Sequence, residues 1–96
     1  MIPTTANGTK DQKKPSKTNI KFPDNRLLID LCGEFDKNLA EIEQKLALQI
    51  VRRGNELNLF GDEISRSAGK IVLEVLYNRL ENGKTLDSGD LDRELR

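Results

Sequence analysis

The chain has no histidine, no tryptophan and a single cysteine, Cys32, in 96 residues. Without imidazole, catalytic schemes built on histidine are excluded. With one thiol there is neither an internal disulfide nor a clustered zinc site. No apolar run approaches the roughly 20 residues that a membrane helix needs, and the opening MIPTTANGTK lacks the apolar core of a secretory signal. The chain reads as cytoplasmic. It also lacks the run G-x-x-x-x-G-K-[ST] whose backbone amides and lysine hold phosphates; the nearest approach, ENGK at Glu81 to Lys84, is too short and follows a helical pattern. No nucleophile with its base, metal cluster or phosphate loop is present, so no enzyme activity and no cofactor or metal is expected of this chain.

A strongly basic nucleic-acid footprint is missing as well. Lysine and arginine total 16, as do aspartate and glutamate. The balance is uneven, because Lys10, Lys13, Lys14 and Lys17 stand against Asp11 alone in residues 1–19, which leaves the remainder slightly acidic. These nineteen residues are small, polar and proline-interrupted, with almost nothing to bury, and they read as a disordered tail. What remains is enough for one modest core.

Ile20 and Phe22 alternate with polar residues as in a short strand, which Pro23 ends. Asp24 or Asn25 can cap a following helix with the apolar face Leu27, Leu28 and Leu31, and Gly33 suits its end. Asp36 is placed to cap a second helix with the stripe Leu39, Ile42 and Leu46. LQIVRRGNELNLFG reads as a hairpin turning at Gly54-Asn55. A long helix capped by Asp62 follows, with Ile64, Ala68, Ile71, Val72, Val75, Leu76 and Leu80 at helical spacing and Asn82-Gly83 as its stop. Residues 20–84 thus form the domain. KTLDSGDLDRELR, at 85–96 apart from its first lysine, reads as a linker or a frayed helical start.

The order strand, short helix, glycine loop, helix, strand, strand, long helix resembles a type I KH domain. That resemblance implies an α+β fold, β-α-α-β-β-α, with a small three-stranded sheet packed against helices, and a G-x-x-G loop between the first two helices that clamps single-stranded RNA or DNA. Gly33 matches the first glycine, and Asp36 stands at the second. More closely, FPDNRLLIDLCGEFDKNLAEIE, RRGNELNLFG and AGKIVLEVLYNRLENG resemble the N-terminal domain of PhoH-like proteins, cytoplasmic bacterial ATPases of the phosphate-starvation-inducible type. The family carries a P-loop domain behind its KH-like front domain. The resemblance therefore implies single-stranded RNA and the chain's own C-terminal ATPase domain as partners, while a homo-oligomer belongs to the alternative reading of an interaction domain. ATP and magnesium belong to that further domain.

The loop sequence GEFD departs from the family pattern, so weak or altered nucleic-acid binding is expected. The candidate site is Gly33, Glu34, Phe35, Asp36 and Lys37, with Lys21, Arg26 and Arg53 as electrostatic support. As a helix cap, Asp36 would occupy the free amides with its own carboxylate, an internal substitute for phosphate. Phe35 is either a platform for a base or, the favoured reading, a plug beneath the loop. Arg52 and Arg53 are adjacent on a strand and point to opposite faces. Cys32 reads as a small buried filler. The alternative function is a protein-interaction or oligomerisation domain regulating the attached ATPase.

Overall fold

Leu57 and Leu59 are separated by one polar residue, and in a pleated strand that spacing sends both to one side. Residues 17–96 are described by the structure, a computed structural model. Three strands, β1 (Lys17–Lys21), β2 (Gln49–Arg53) and β3 (Glu56–Phe60), form an antiparallel sheet in the order β1-β3-β2. Ile20 lies opposite Leu57 on one side of β3, and Ile50 lies opposite Leu59 on the other. These residues share the buried face.

Gly54 takes φ 59° at the first position of the hairpin turn, where a residue with a Cβ would be strained. The turn is tied to the chain leaving β1: the Phe22 amide donates to the Asn55 carbonyl at 2.8 Å, and Asn55 Nδ2 donates to the Phe22 carbonyl at 3.0 Å. The hairpin thereby fixes where the first helix begins.

Helix α1 (Asn25–Cys32) is capped by the Asp24 carboxylate, which accepts from the amides of Arg26 and Leu27, and it buries Leu28, Leu31 and Cys32. Helix α2 (Lys37–Leu46) buries Leu39 and Ile42. Its Glu43 reaches across to β2, where Oε2 accepts from the Ile50 amide at 2.7 Å. Helix α3 (Glu63–Glu81) starts at Asp62, whose carboxylate accepts from the Ser65 amide. The element order is the expected β-α-α-β-β-α, followed by a further helix, α4 (Ser88–Glu94). The chain is an α+β domain of KH-like order.

Three expectations need correction. Part of the tail assigned to residues 1–19 belongs to the sheet, because Lys17, Thr18 and Asn19 pair with Phe60, Leu59 and Asn58. Strand pairing extends to the end of the partner strand and needs no apolar residue at each position. Thr18 Oγ1 accepts from Arg66 Nη1 of α3, and Asn19 Nδ2 donates to Glu56 and Asn58 side chains. Residues 1–16, with the rest of the expected tail, lie outside the described residues.

The second correction concerns the roll of α3. Its buried face is Gly69, Val72, Leu73, Leu76, Tyr77 and Leu80, while Ile64 and Ile71 are 84 % and 62 % exposed. Two features turn the helix this way. Gly69 leaves room for Leu48, whose Cδ1 would lie 2.5 Å from an added Cβ. Tyr77 packs its ring on Phe22 with centroids 4.8 Å apart and accepts the Asp24 amide on its hydroxyl at 2.9 Å.

Third, the presumed linker is structured. Leu91 of α4 is buried and Leu86 and Leu95 pack against the core. Asp87 and Asp90 form a reciprocal capping box, and the buried Asp90 carboxylate is held by Arg79 of α3 and by Arg93. A few leucines among many charges were sufficient, since the charges are paired and the helix uses one narrow face.

Candidate nucleic-acid interface

Gly33 ends α1 with φ 82° and ψ 172°, a backbone region essentially restricted to glycine. Its amide donates to the Ile29 carbonyl, and a Cβ there would meet Asn38 Nδ2 at 2.8 Å. That Asn38 amide is engaged in turn, donating to the Leu31 carbonyl at 3.1 Å. The first turn of α2 is thus tied to the last turn of α1.

A 3-10 turn over Glu34–Asp36 connects the two helices, with the Asp36 amide donating to the Gly33 carbonyl and the Lys37 amide to the Glu34 carbonyl. Phe35 and Asp36 are both left-handed, at φ 54° and 57°. Such geometry costs an L-residue roughly 1–2 kcal/mol. It also overturns the capping role of Asp36. A cap side chain reaches the first amides of its helix from an extended backbone, and from the left-handed region the Asp36 carboxylate makes no such bond. No internal anion fills the start of α2.

Phe35 is 96 % exposed, so it is not a plug under the loop. The core is filled instead by aliphatic side chains, mostly leucines, and by Phe22 packed at a tilt against Tyr77. An aromatic ring held out at a loop tip by two left-handed residues gains almost nothing from folding.

Lys37 begins α2 at this loop, and the structure brings none of the three supporting cations to it. Lys21 and Arg53 flank Glu56 in one row across the sheet, on the face opposite Ile20 and Leu57. Arg26 is in the first turn of α1 beside Asp24, with Nε 3.7 Å from Oδ1, and Gly33 lies past the far end of that helix. The residue that the sequence reading missed is Arg52. It pairs with Leu57 and so shares the helix-bearing face with Ile50. The signal was present, because residues two apart on a strand share a face and Arg52 follows the apolar Ile50 by two.

Arg52 stands beside Cys32. Burial pushes the Cys32 thiol pKa up, the Arg52 guanidinium opposes that shift, and the charge of Asp36 adds to it. The thiol stays protonated and serves as the expected buried filler. Because the Ile50 amide turns outward to Glu43, the alternation of an antiparallel ladder also turns the backbone groups of Arg52 to the free edge of β2. Loop, Arg52 side chain and strand edge meet around Cys32.

The loop also borders a cleft lined by Asp30, Gly33, Glu34, Lys37, Asn38, Glu41, Leu86 and Asp87. Its charge is mostly negative. Among the described residues no helix is long and apolar enough to cross a membrane, and no group of three or more His, Cys, Asp or Glu could hold a metal ion.

No family model and no solved structure matches the chain. The functional reading therefore rests on the geometry above and on the resemblance carried by the sequence blocks.

Proposed function

We propose that the chain is the RNA-binding KH-like front domain of a cytoplasmic, PhoH-like ATP-binding protein, and that it binds single-stranded RNA weakly through the loop from Gly33 to Lys37. The observation that carries this reading is Phe35, fully presented to solvent on a strained loop beside the free edge of β2. A base stacks on the Phe35 ring, worth about 1–3 kcal/mol where such platforms exist. Its polar edge meets the backbone groups of Arg52, whose guanidinium and Lys37 supply the local positive charge. Glu34 and Asp36 repel a phosphate from the loop itself, which makes the grip weak and mainly aromatic. ATP and magnesium act in the further domain that the resemblance implies.

The test is an amide-shift titration of the labelled chain with octauridine at low and moderate salt. Shifts confined to Gly33–Lys37 and the Arg52 neighbourhood, retained at moderate salt and lost in Phe35→Ala, are the expected result. No shift at millimolar RNA would overturn the reading.

A second reading, a protein-interaction or oligomerisation domain regulating the attached ATPase, is supported by α3. Ile64, Ala68, Ile71 and Val75 are spaced four, three and four apart, a coiled-coil seam, and Ile64 and Ile71 are exposed. Sedimentation of Ile71→Lys against the parent chain separates the readings, since only an apolar self-association surface would lose a dimer.

A further inference from the structure

The cleft beside the loop continues into a second one lined by Leu27, Asp30, Leu80, Gly83, Lys84, Thr85 and Leu86. Asp30 and Leu86 border both. The two, of about 390 and 310 Å3, adjoin at these residues and are taken together as one groove reaching from Leu27 and Leu80 to Lys37 at the start of α2. One half has an apolar floor of Leu27, Leu80 and Leu86. The other carries four carboxylates, from Asp30, Glu34, Glu41 and Asp87, against the single cation Lys37.

From this division we infer that the groove takes an extended peptide segment of a different protein, with an apolar side chain seated over Leu27 and Leu80 and lysine or arginine following it toward Glu34 and Glu41. Charge complementarity decides the class of partner. A phosphate backbone would be repelled along the acidic half, whereas a basic peptide is steered into it. The apolar half gives the register that charge alone does not. Its other wall is the segment leading into α4, whose packing against the core holds Leu86 and Asp87 in place. The groove shares Gly33, Glu34 and Lys37 with the loop read as the RNA grip, but the peptide inference rests on its lining and not on that reading.

The probe is acetyl-Leu-Ala-Lys-Lys-amide, titrated into the labelled full chain beside its charge-reversed counterpart acetyl-Leu-Ala-Glu-Glu-amide. Saturable shifts at Leu27, Asp30, Glu41 and the amides of residues 83–87 are expected with the basic peptide alone. The pair Asp30→Lys, at an exposed position, and Glu41→Lys, at a half-buried one, should weaken them at least tenfold while the resonances of Leu57 and Leu59 stay in place, which shows the core intact. Equal shifts with the acidic peptide, or none with the basic one, would overturn the proposal. So would concentration-dependent shifts at these residues without peptide, which would make a second copy the occupant, or shifts there with octauridine, which would make the groove a nucleic-acid face.

Discussion

Replacing Asp36 by glycine separates two accounts of the loop by the sign of its effect. If Asp36 capped α2, its loss would cost about 1 kcal/mol. In the structure it makes no cap bond and sits at φ 57°. Glycine removes a left-handed penalty of roughly 1–2 kcal/mol, at the lower end for aspartate, which tolerates that region better than most residues. Against this stands about 0.4–1 kcal/mol for the greater freedom of glycine in the unfolded chain. The balance is a gain of roughly 0.5 kcal/mol. For a domain of this size that raises Tm by about 2–4 °C. Thermal melts followed by circular dichroism, with urea titrations at one temperature, measure it directly. Asp36→Ala is the control: it removes the carboxylate without relieving the backbone, and its Tm should not exceed that of the parent. A fall of about 4 °C or more in Asp36→Gly would refute the geometry and restore the cap.

Other outcomes follow from the same observations. Gly33→Ala should destabilise by about 2–3 kcal/mol in urea unfolding, since it forces a Cβ into a glycine-only conformation and against the engaged Asn38 amide. An effect below about 0.5 kcal/mol would contradict the close approach. Phe35→Ala should leave the urea midpoint nearly unchanged, within about 0.5 kcal/mol, because the ring is not buried. Leu91→Ala should release α4: amide exchange at residues 88–94 accelerates while that of Leu57, Leu59 and Leu73 is retained. The docking of α4 should also weaken in acid. The backbone amide of Asp87, and then Arg79 and Arg93, hold the Asp90 carboxyl below its usual pKa. The associated stability is fully present above the unfolded value of about 3.9 and is lost as pH falls through the lower folded value. Protection at residues 88–94 that does not change from pH 5 into this range, or that responds equally in Asp90→Asn, would count against that role.

Much of the fold was legible because it rests on local signals. Asp24, Gly33 and Asp62 each stand where a helix begins or ends, and Gly54-Asn55 marks the hairpin. The roll of α3 was not legible, because its sequence offers two apolar stripes and the choice between them is made by distant partners, Leu48 against Gly69 and Phe22 against Tyr77. The same holds for α4, whose buried Asp90 is held by a cation eleven residues earlier in the chain. At the candidate site, the sequence located the loop but misjudged its interior. Backbone handedness at Phe35 and Asp36 decides whether the ring is inside and whether the carboxylate caps; phenylalanine does not announce a positive φ, and aspartate, which tolerates one, is as much at home in a cap. Arg52 was available from strand alternation.

The bond from Glu43 to the Ile50 amide bears on what this sheet can join. A strand seeking to extend the sheet at β2 would need that amide, and finds it already taken by a half-buried carboxylate that would lose its partner if displaced. At the opposite border the alternation leaves the backbone groups of Lys17, Asn19 and Lys21 facing outward, with two lysines as the main deterrent. The domain therefore has one border blocked at Ile50, though open at Arg52, and one guarded by lysines. Growth of the sheet, whether into a stack of copies or toward fibrils, would start from β1, and neutralising its lysines would lower the barrier.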